Sequence, residues 1–286
     1  MYLLGPVPFL GIQFYHDNGY LVIRKLFDIP TLNTYRQRFT DVCEGRVEKG
    51  RVTVVKDRAL AQTHARPEDY INKIQELLFD EVFSTYSEDP RLLHVVAQLI
   101  GEDLTAVNCM LINKPPGTNE HPPHQDLLYF PFRPADKILA TWTAIDPVSR
   151  DNGCLYMVPG SHKPDVLYEH DEQVNSAKLF FFGIVNSDEV APEDRRVYVE
   201  MQPGDTVLFQ SNLVHGSMPN VTKTYRKAMT GHYANSSCHY IDVYGTRHEK
   251  LVRQMEAELR KRGSDLTYVD MWRIKTKPVR GVRSNL

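Results

Sequence analysis

The texture of this sequence changes at Val107, and that change limits the folds open to it. Downstream lie short β-branched and aromatic runs at 107–112, 138–145, 155–158, 197–200, 206–209 and 228–234. Turn signals separate them at Asp151-Asn-Gly153, Pro159-Gly160 and Pro203-Gly-Asp205, residue types that start reversals and interrupt strands. Upstream the periodicity is mostly helical. A short β-prone run at 19–23 precedes a helix opened near Asp28 and Pro30, with Leu32, Tyr35, Phe39 and Val42 at helical spacing. Pro67 is expected to open a second helix with Tyr70, Ile74, Leu77 and Leu78 on one stripe. A third is expected after Pro90, burying Leu92, Val95, Val96 and Leu99 and ending near Gly101. A closing helix at 247–262 carries Leu251, Met255 and Leu259 on one face. Helices first and many short strands after predict a mainly β fold, a double-stranded β-helix of the jelly-roll or cupin-like kind, buttressed by helices at both ends.

With 286 residues the chain fits one large domain, and no linker or internal repeat divides it. The expected organisation is a single domain over 1–286, with a helical buttress roughly at 1–105, the jelly-roll core at 106–240, and a C-terminal helix and tail at 241–286. The net charge of −2 gives no reason to expect nucleic acid or a charged membrane surface, and no apolar run approaches a membrane span. Cys43, Cys109, Cys154 and Cys238 lack any C-x-x-C spacing and are expected to be reduced, packed thiols.

Chemistry concentrates in three residues. On extended backbone, side chains i and i+2 share a face, so His124 and Asp126 can reach one metal ion together. His215, in Leu213-Val-His-Gly-Ser217, would complete two imidazoles and one carboxylate. That set leaves open positions and is the pattern of non-haem Fe(II) oxygenases. Alone, an H-x-D triplet is a weak signal and a lone histidine a weaker one; the ordered combination carries the argument. Arg226 follows His215 across a turn-like Met218-Pro-Asn-Val221. A hairpin there would return its guanidinium beside the metal, to hold a keto-acid carboxylate in paired hydrogen bonds. Ser217, two residues after His215, shares its face and can donate to the same oxygens. A zinc hydrolase remains open, although such sites do not require an arginine placed for a dicarboxylate. His121, His162, His232 and His239 are left off the ligand set, and Gln125 is expected to face away from it.

These residues sit within a longer pattern. Met110-Leu-Ile-Asn-Lys-Pro-Pro116, His124-Gln-Asp126, Phe130-Pro-Phe-Arg-Pro134, Trp142-Thr-Ala144, Asn152-Gly-Cys-Leu155 and Pro159-Gly-Ser-His162 resemble the phytanoyl-CoA dioxygenase family from about Tyr70 onward. The resemblance implies Fe(II), 2-oxoglutarate and O2, with ascorbate as an accessory. It also implies 2-hydroxylation of a 3-methyl-branched acyl-CoA in fatty acid alpha-oxidation, with Lys73, Met110 and Trp142 lining the co-substrate pocket. Acyl-CoA recognition rests on resemblance alone: no glycine-rich phosphate loop is present, and Arg195-Arg196, Lys223 and Lys227 read as solvated surface. Ser284-Asn-Leu286 is close to a Ser-Lys-Leu peroxisomal address. With no long N-terminal presequence evident, that tripeptide is the expected route to the import receptor and the peroxisome, a cytoplasmic location being the alternative. The rival functions are the same chemistry on a non-CoA metabolite, and a non-catalytic metal-binding jelly roll.

Overall fold

The computed structural model describes residue 5, residues 7–63, 65–172 and 182–281, and residue 286. Among these residues sixteen strands follow in chain order. The first half supplies β1 (Tyr20–Ile23), β2 (Thr53–Lys56), β3 (Ile71–Gln75), β4 (Leu104–Lys114), β5 (His121–His124), β6 (Phe132–Arg133) and β7 (Ile138–Ala144). Then come β8 (Leu155–Met157), β9 (His170–Glu172), β10 (Phe182–Ile184), β11 (Val197–Val199), β12 (Thr206–Gln210) and β13 (His215–Ser217). β14 (Arg226–Asn235), β15 (His239–Tyr240) and β16 (Lys277–Arg280) complete the set.

Two of the sheets face each other. The larger runs β1-β12-β7-β14-β4-β3-β2, with β16 also paired to β4, and the smaller runs β11-β8-β13-β5. Alternation along each strand sends side chains to opposite faces of the large sheet. One face carries Ile74, Leu111, Leu208 and Met229, packed against helices Ile29–Cys43 and Pro90–Ile100 through Leu32, Tyr35, Phe39, Leu92 and Val96. The other carries Ala140, Trp142, Val207, Phe209 and Ala228, which meet Leu155, Met157 and Val199 of the small sheet. The expected jelly roll is therefore present, its interior lying between the two sheets.

Both buttress helices begin as their sequences dictate. Asp28 accepts a hydrogen bond from the Thr31 backbone N–H, and Asp89 does the same for Arg91. Each satisfies a donor that the first helical turn leaves without an internal partner.

The expected long helix after Pro67 does not form. It spans only Pro67–Tyr70, and residues 71–75 become β3, paired on one side to β2 and on the other to β4. Glu76 then adopts φ 64°, which ends regular structure before the short turn Leu77–Phe79. Ile74, Leu77 and Leu78 are buried as expected, but cross-strand pairing overrides their helical spacing. The segment expected to be a helical buttress thus also supplies β1, β2 and β3, and the C-terminal tail returns β16 to the sheet. The closing helix spans Glu249–Lys261 and buries Leu251. A further helix, Tyr268–Lys275, follows it and starts at a Thr267/Asp270 capping box.

Candidate metal and co-substrate site

Strand pairing builds the metal cluster. β13 pairs with β5 so that His215 stands opposite His124, and their ring centroids lie 4.2 Å apart. β5 ends at His124, but Gln125 continues extended at φ −123°, ψ 126°, so Asp126 returns to the same side. Gln125 itself turns away, donating to the carbonyls of Val166 and Asn212 and accepting from the Tyr168 N–H. Asp126 Oδ1 lies 3.5 Å from His124 Nε2 and 3.8 Å from His215 Nε2. One ligand atom from each of the three falls within 4.8 Å of the others.

The tautomers follow from the partners. His124 Nδ1 lies 3.0 Å from the Pro122 carbonyl, and His215 Nδ1 lies 3.0 Å from that of Leu213. A carbonyl can only accept, so each Nδ1 carries the proton and each Nε2 presents a lone pair toward Asp126. Burial, reinforced by the neighbouring His124, pushes the His215 pKa down to about 4, which keeps that ring neutral. Burial alone would raise the Asp126 pKa. The contact with His232, which donates to Oδ2, helps outweigh it, and the carboxyl is held well below its ordinary range. Two imidazoles whose Nε2 atoms face an ionised carboxylate form the donor set that a divalent iron accepts.

His232 is the residue that sequence reasoning set aside. It lies on β14 with its Nε2 2.9 Å from Asp126 Oδ2. The carboxylate accepts, so His232 donates and occupies the outer oxygen while Oδ1 faces His124 and His215. Its i+6 spacing from Arg226 on one strand was the available signal, because even spacing puts both on one face. His121 stacks on His124 at 4.1 Å between centroids, whereas His162 contacts the His16 carbonyl in the N-terminal helix and His239 is exposed.

The predicted co-substrate residues gather on the inner face of the large sheet. Register places Met110, Thr230 and Trp142 in one cross-strand row, and Lys73, Ile112, Ala228 and Ala144 in the next. Lys73 is therefore a strand residue rather than a helical one. Arg226 begins β14 opposite Lys114, with its guanidinium carbon 5.0 Å from the Trp142 ring centroid. The expected hairpin between His215 and Arg226 is corrected. β13 belongs to the small sheet and β14 to the large one, so residues 218–225 cross between sheets. Arg226 thereby faces Ser217 across the interior instead of lying beside it in one sheet. Lys114 Nζ bridges the gap, donating to Ser217 Oγ at 2.9 Å.

The co-substrate fit shows in donors without acceptors. Arg226 is 2% exposed, and its Nε and Nη1 have no hydrogen-bond partner among the described residues; neither does Trp142 Nε1. Burial lowers the arginine's pKa to about 10. Buried polar groups are ordinarily satisfied, so three inward donors beside a cation mark a place for an anionic acceptor. Gly216 points to the opposite face of the small sheet from His215 and Ser217, where a Cβ would run into the Tyr156 hydroxyl. Lys227, read from sequence as solvated, is instead buried outside this pocket in an ion pair with Glu68 at 2.8 Å.

The chain's likenesses agree with this geometry. The model of the phytanoyl-CoA dioxygenase (PhyH) family matches residues 15–228. A probable phytanoyl-CoA dioxygenase of Caenorhabditis elegans is 42% identical, covering 96% of this chain and 93% of that protein. The peroxisomal phytanoyl-CoA dioxygenase of Homo sapiens is 36% identical, covering 96% and 83%. Among solved structures, EctD from S. alaskensis with bound Fe superimposes with a TM-score of 0.66 at 20% identity, over 83% of this chain and 80% of that one. The epimerase SnoN in complex with Fe3+, alpha ketoglutarate and nogalamycin RO gives 0.61 at 20% identity, over 82% and 85%. These two carry the fold; the family match and the full-length relatives carry more, and by them the chain belongs to the phytanoyl-CoA dioxygenase family of 2-oxoglutarate-dependent oxygenases.

Proposed function

We propose that this chain 2-hydroxylates phytanoyl-CoA or a similar 3-methyl-branched acyl-CoA, using Fe(II), 2-oxoglutarate and O2. The observation that carries the reading is the pairing of two features. A lone-pair set on His124, Asp126 and His215 shares one interior with donors of Arg226 and Trp142 that have no partner among the described residues. In this reading the first three hold iron, which with 2-oxoglutarate and O2 supplies the oxidising power to hydroxylate an unactivated C–H bond. Arg226 and Ser217 hold the far carboxylate of the co-substrate, and Lys73, Met110 and Trp142 wall its chamber. His232 fixes the aspartate. The enclosed interior excludes water from the reacting groups. Contacts remote from the reacting carbon position it, and small misplacement costs rate steeply; the CoA portion serves that role.

We also propose one domain over residues 1–286, a reading supported by β1 and β16, which bring both ends of the described chain into the large sheet. Peroxisomal residence is proposed on the names of the mammalian relatives. Ser284 and Asn285 of the tail lie outside the described residues, while Leu286 packs against the cluster that includes Tyr268 and Trp272. Deleting Ser284–Leu286 should release the protein to the cytosol, and continued import would remove the tripeptide from the proposal.

The activity test measures CO2 release from 2-oxoglutarate with phytanoyl-CoA, a straight-chain acyl-CoA and free phytanic acid, together with product analysis. Release coupled to a 2-hydroxyl on the CoA thioesters, with the free acid poor, is the expected result. Coupled hydroxylation of non-CoA substrates only would move the assignment to a small metabolite.

A further inference from the structure

Lys114 ends β4 with its side chain turned into the jelly-roll interior, where it is buried. Its Nζ donates to Ser217 Oγ at 2.9 Å and to the Met218 carbonyl. Its register partner on β14 is Arg226. An ammonium has donors and no acceptor, whereas a hydroxyl has one proton and two lone pairs. Lys114 therefore occupies a lone pair of Ser217 and leaves the serine proton to be donated elsewhere. The surrounding chain is shaped to this lysine. A Cβ on Gly153 would run into Lys114 Cδ and lie 2.9 Å from the Met218 carbonyl oxygen, so the Asp151-Asn-Gly153 turn leaves room for the lysine stem. Lys114 thus ties the large sheet to the end of β13 at the arginine side of the site.

We propose that Lys114 is a positioning residue for co-substrate selection: by holding Ser217 as a donor beside Arg226, it makes the pocket select a 2-oxo acid with a second, distal carboxylate. This rests on the 2-oxoglutarate reading above. It adds to that reading the residue that sets the polarity of the serine.

The test is anaerobic calorimetry on the full chain loaded with Fe(II), titrated with 2-oxoglutarate or with 2-oxovalerate, which has the same length without the distal carboxylate. Lys114→Met should weaken 2-oxoglutarate by about tenfold or more, the scale of a charge-assisted hydrogen bond, and leave 2-oxovalerate within about twofold. In turnover, KM for 2-oxoglutarate should rise with kcat held. In a Ser217→Ala background, Lys114→Met should add no further loss of preference, because residues acting through one contact are not additive. Lys114→Gln, which shortens the reach, carries the same comparison if the methionine variant does not fold. Equal weakening of both acids, or losses that multiply with Ser217→Ala, would overturn the proposal. A wild-type protein without preference for 2-oxoglutarate would instead overturn the co-substrate reading itself.

Discussion

Replacing Arg226 by methionine should make the ligand-free protein more stable while removing its response to 2-oxoglutarate. The guanidinium is buried, with Nε and Nη1 unpartnered among the described residues, and burial lowers its pKa to about 10. At about 1.4 kcal/mol per pKa unit, that depression corresponds to on the order of 3 kcal/mol by which burial disfavours the charged form at neutral pH. Methionine fills similar volume without a charge. It gives up the stacking of Arg226 over Trp142, 5.0 Å from the ring centroid, which offsets about 1 kcal/mol of the gain. The balance is a stabilisation of roughly 1–2 kcal/mol. For a chain of this size that raises Tm by about 2–6 °C. The wild type should reverse the order once Fe(II) and 2-oxoglutarate are added. Binding at about a thousand times Kd stabilises the folded state by about 4 kcal/mol, which the variant, lacking the proposed carboxylate anchor, should not gain. Thermal melts with and without both ligands, under argon, would show the two proteins changing rank. A lower Tm for the ligand-free variant would refute the argument that Arg226 waits in the fold as an unsatisfied cation.

The remaining predictions concern the metal, its support and acid stability. His124→Ala, Asp126→Ala and His215→Ala should each abolish turnover and the joint stabilisation by Fe(II) and 2-oxoglutarate; a retained joint shift in any of them would remove that residue from the ligand set. His232→Ala should weaken Fe(II) binding about 10–100-fold by freeing the outer oxygen of Asp126, with His232→Gln recovering part of the loss in an anaerobic titration. Equal affinity in wild type and His232→Ala would make the 2.9 Å contact incidental. His170 and His248 are both pushed down to about 4, chiefly by burial. Because their folded pKa lies below the unfolded value of 6.5, the unfolded chain binds more protons between those limits, so stability is full above about 6.5 and falls as pH drops toward 4. His170 Nε2 accepts the Gln125 N–H at 3.1 Å, between two candidate ligands, and His170→Gln should flatten the Tm profile over that window; an unaltered slope would place the acid sensitivity elsewhere.

Local sequence determined much of this protein. Asp28 with Pro30 and Asp89 with Pro90 start their helices because they satisfy free N–H groups within the same few residues. The i+2 relation of His124 and Asp126 needs only extended backbone at Gln125, which is present. The two-sheet core was likewise legible, since alternation between the faces is a property of each strand taken alone. Tertiary structure decided what depends on a partner. The Pro67 stripe fits a helix by spacing, but β2 and β4 capture residues 71–75 as a strand. The chain between His215 and Arg226 looks like a hairpin, yet it crosses between sheets because β5 and β8 flank β13 while β4 and β7 flank β14. Lys114 showed no spacing to distinguish it from a packing residue, and the even spacing of His232 from Arg226 gave its face of the strand but not its partner. Their roles arise when β14 is set against Asp126 and β4 against Ser217, contacts between residues more than a hundred positions apart that only the folded sheets bring together.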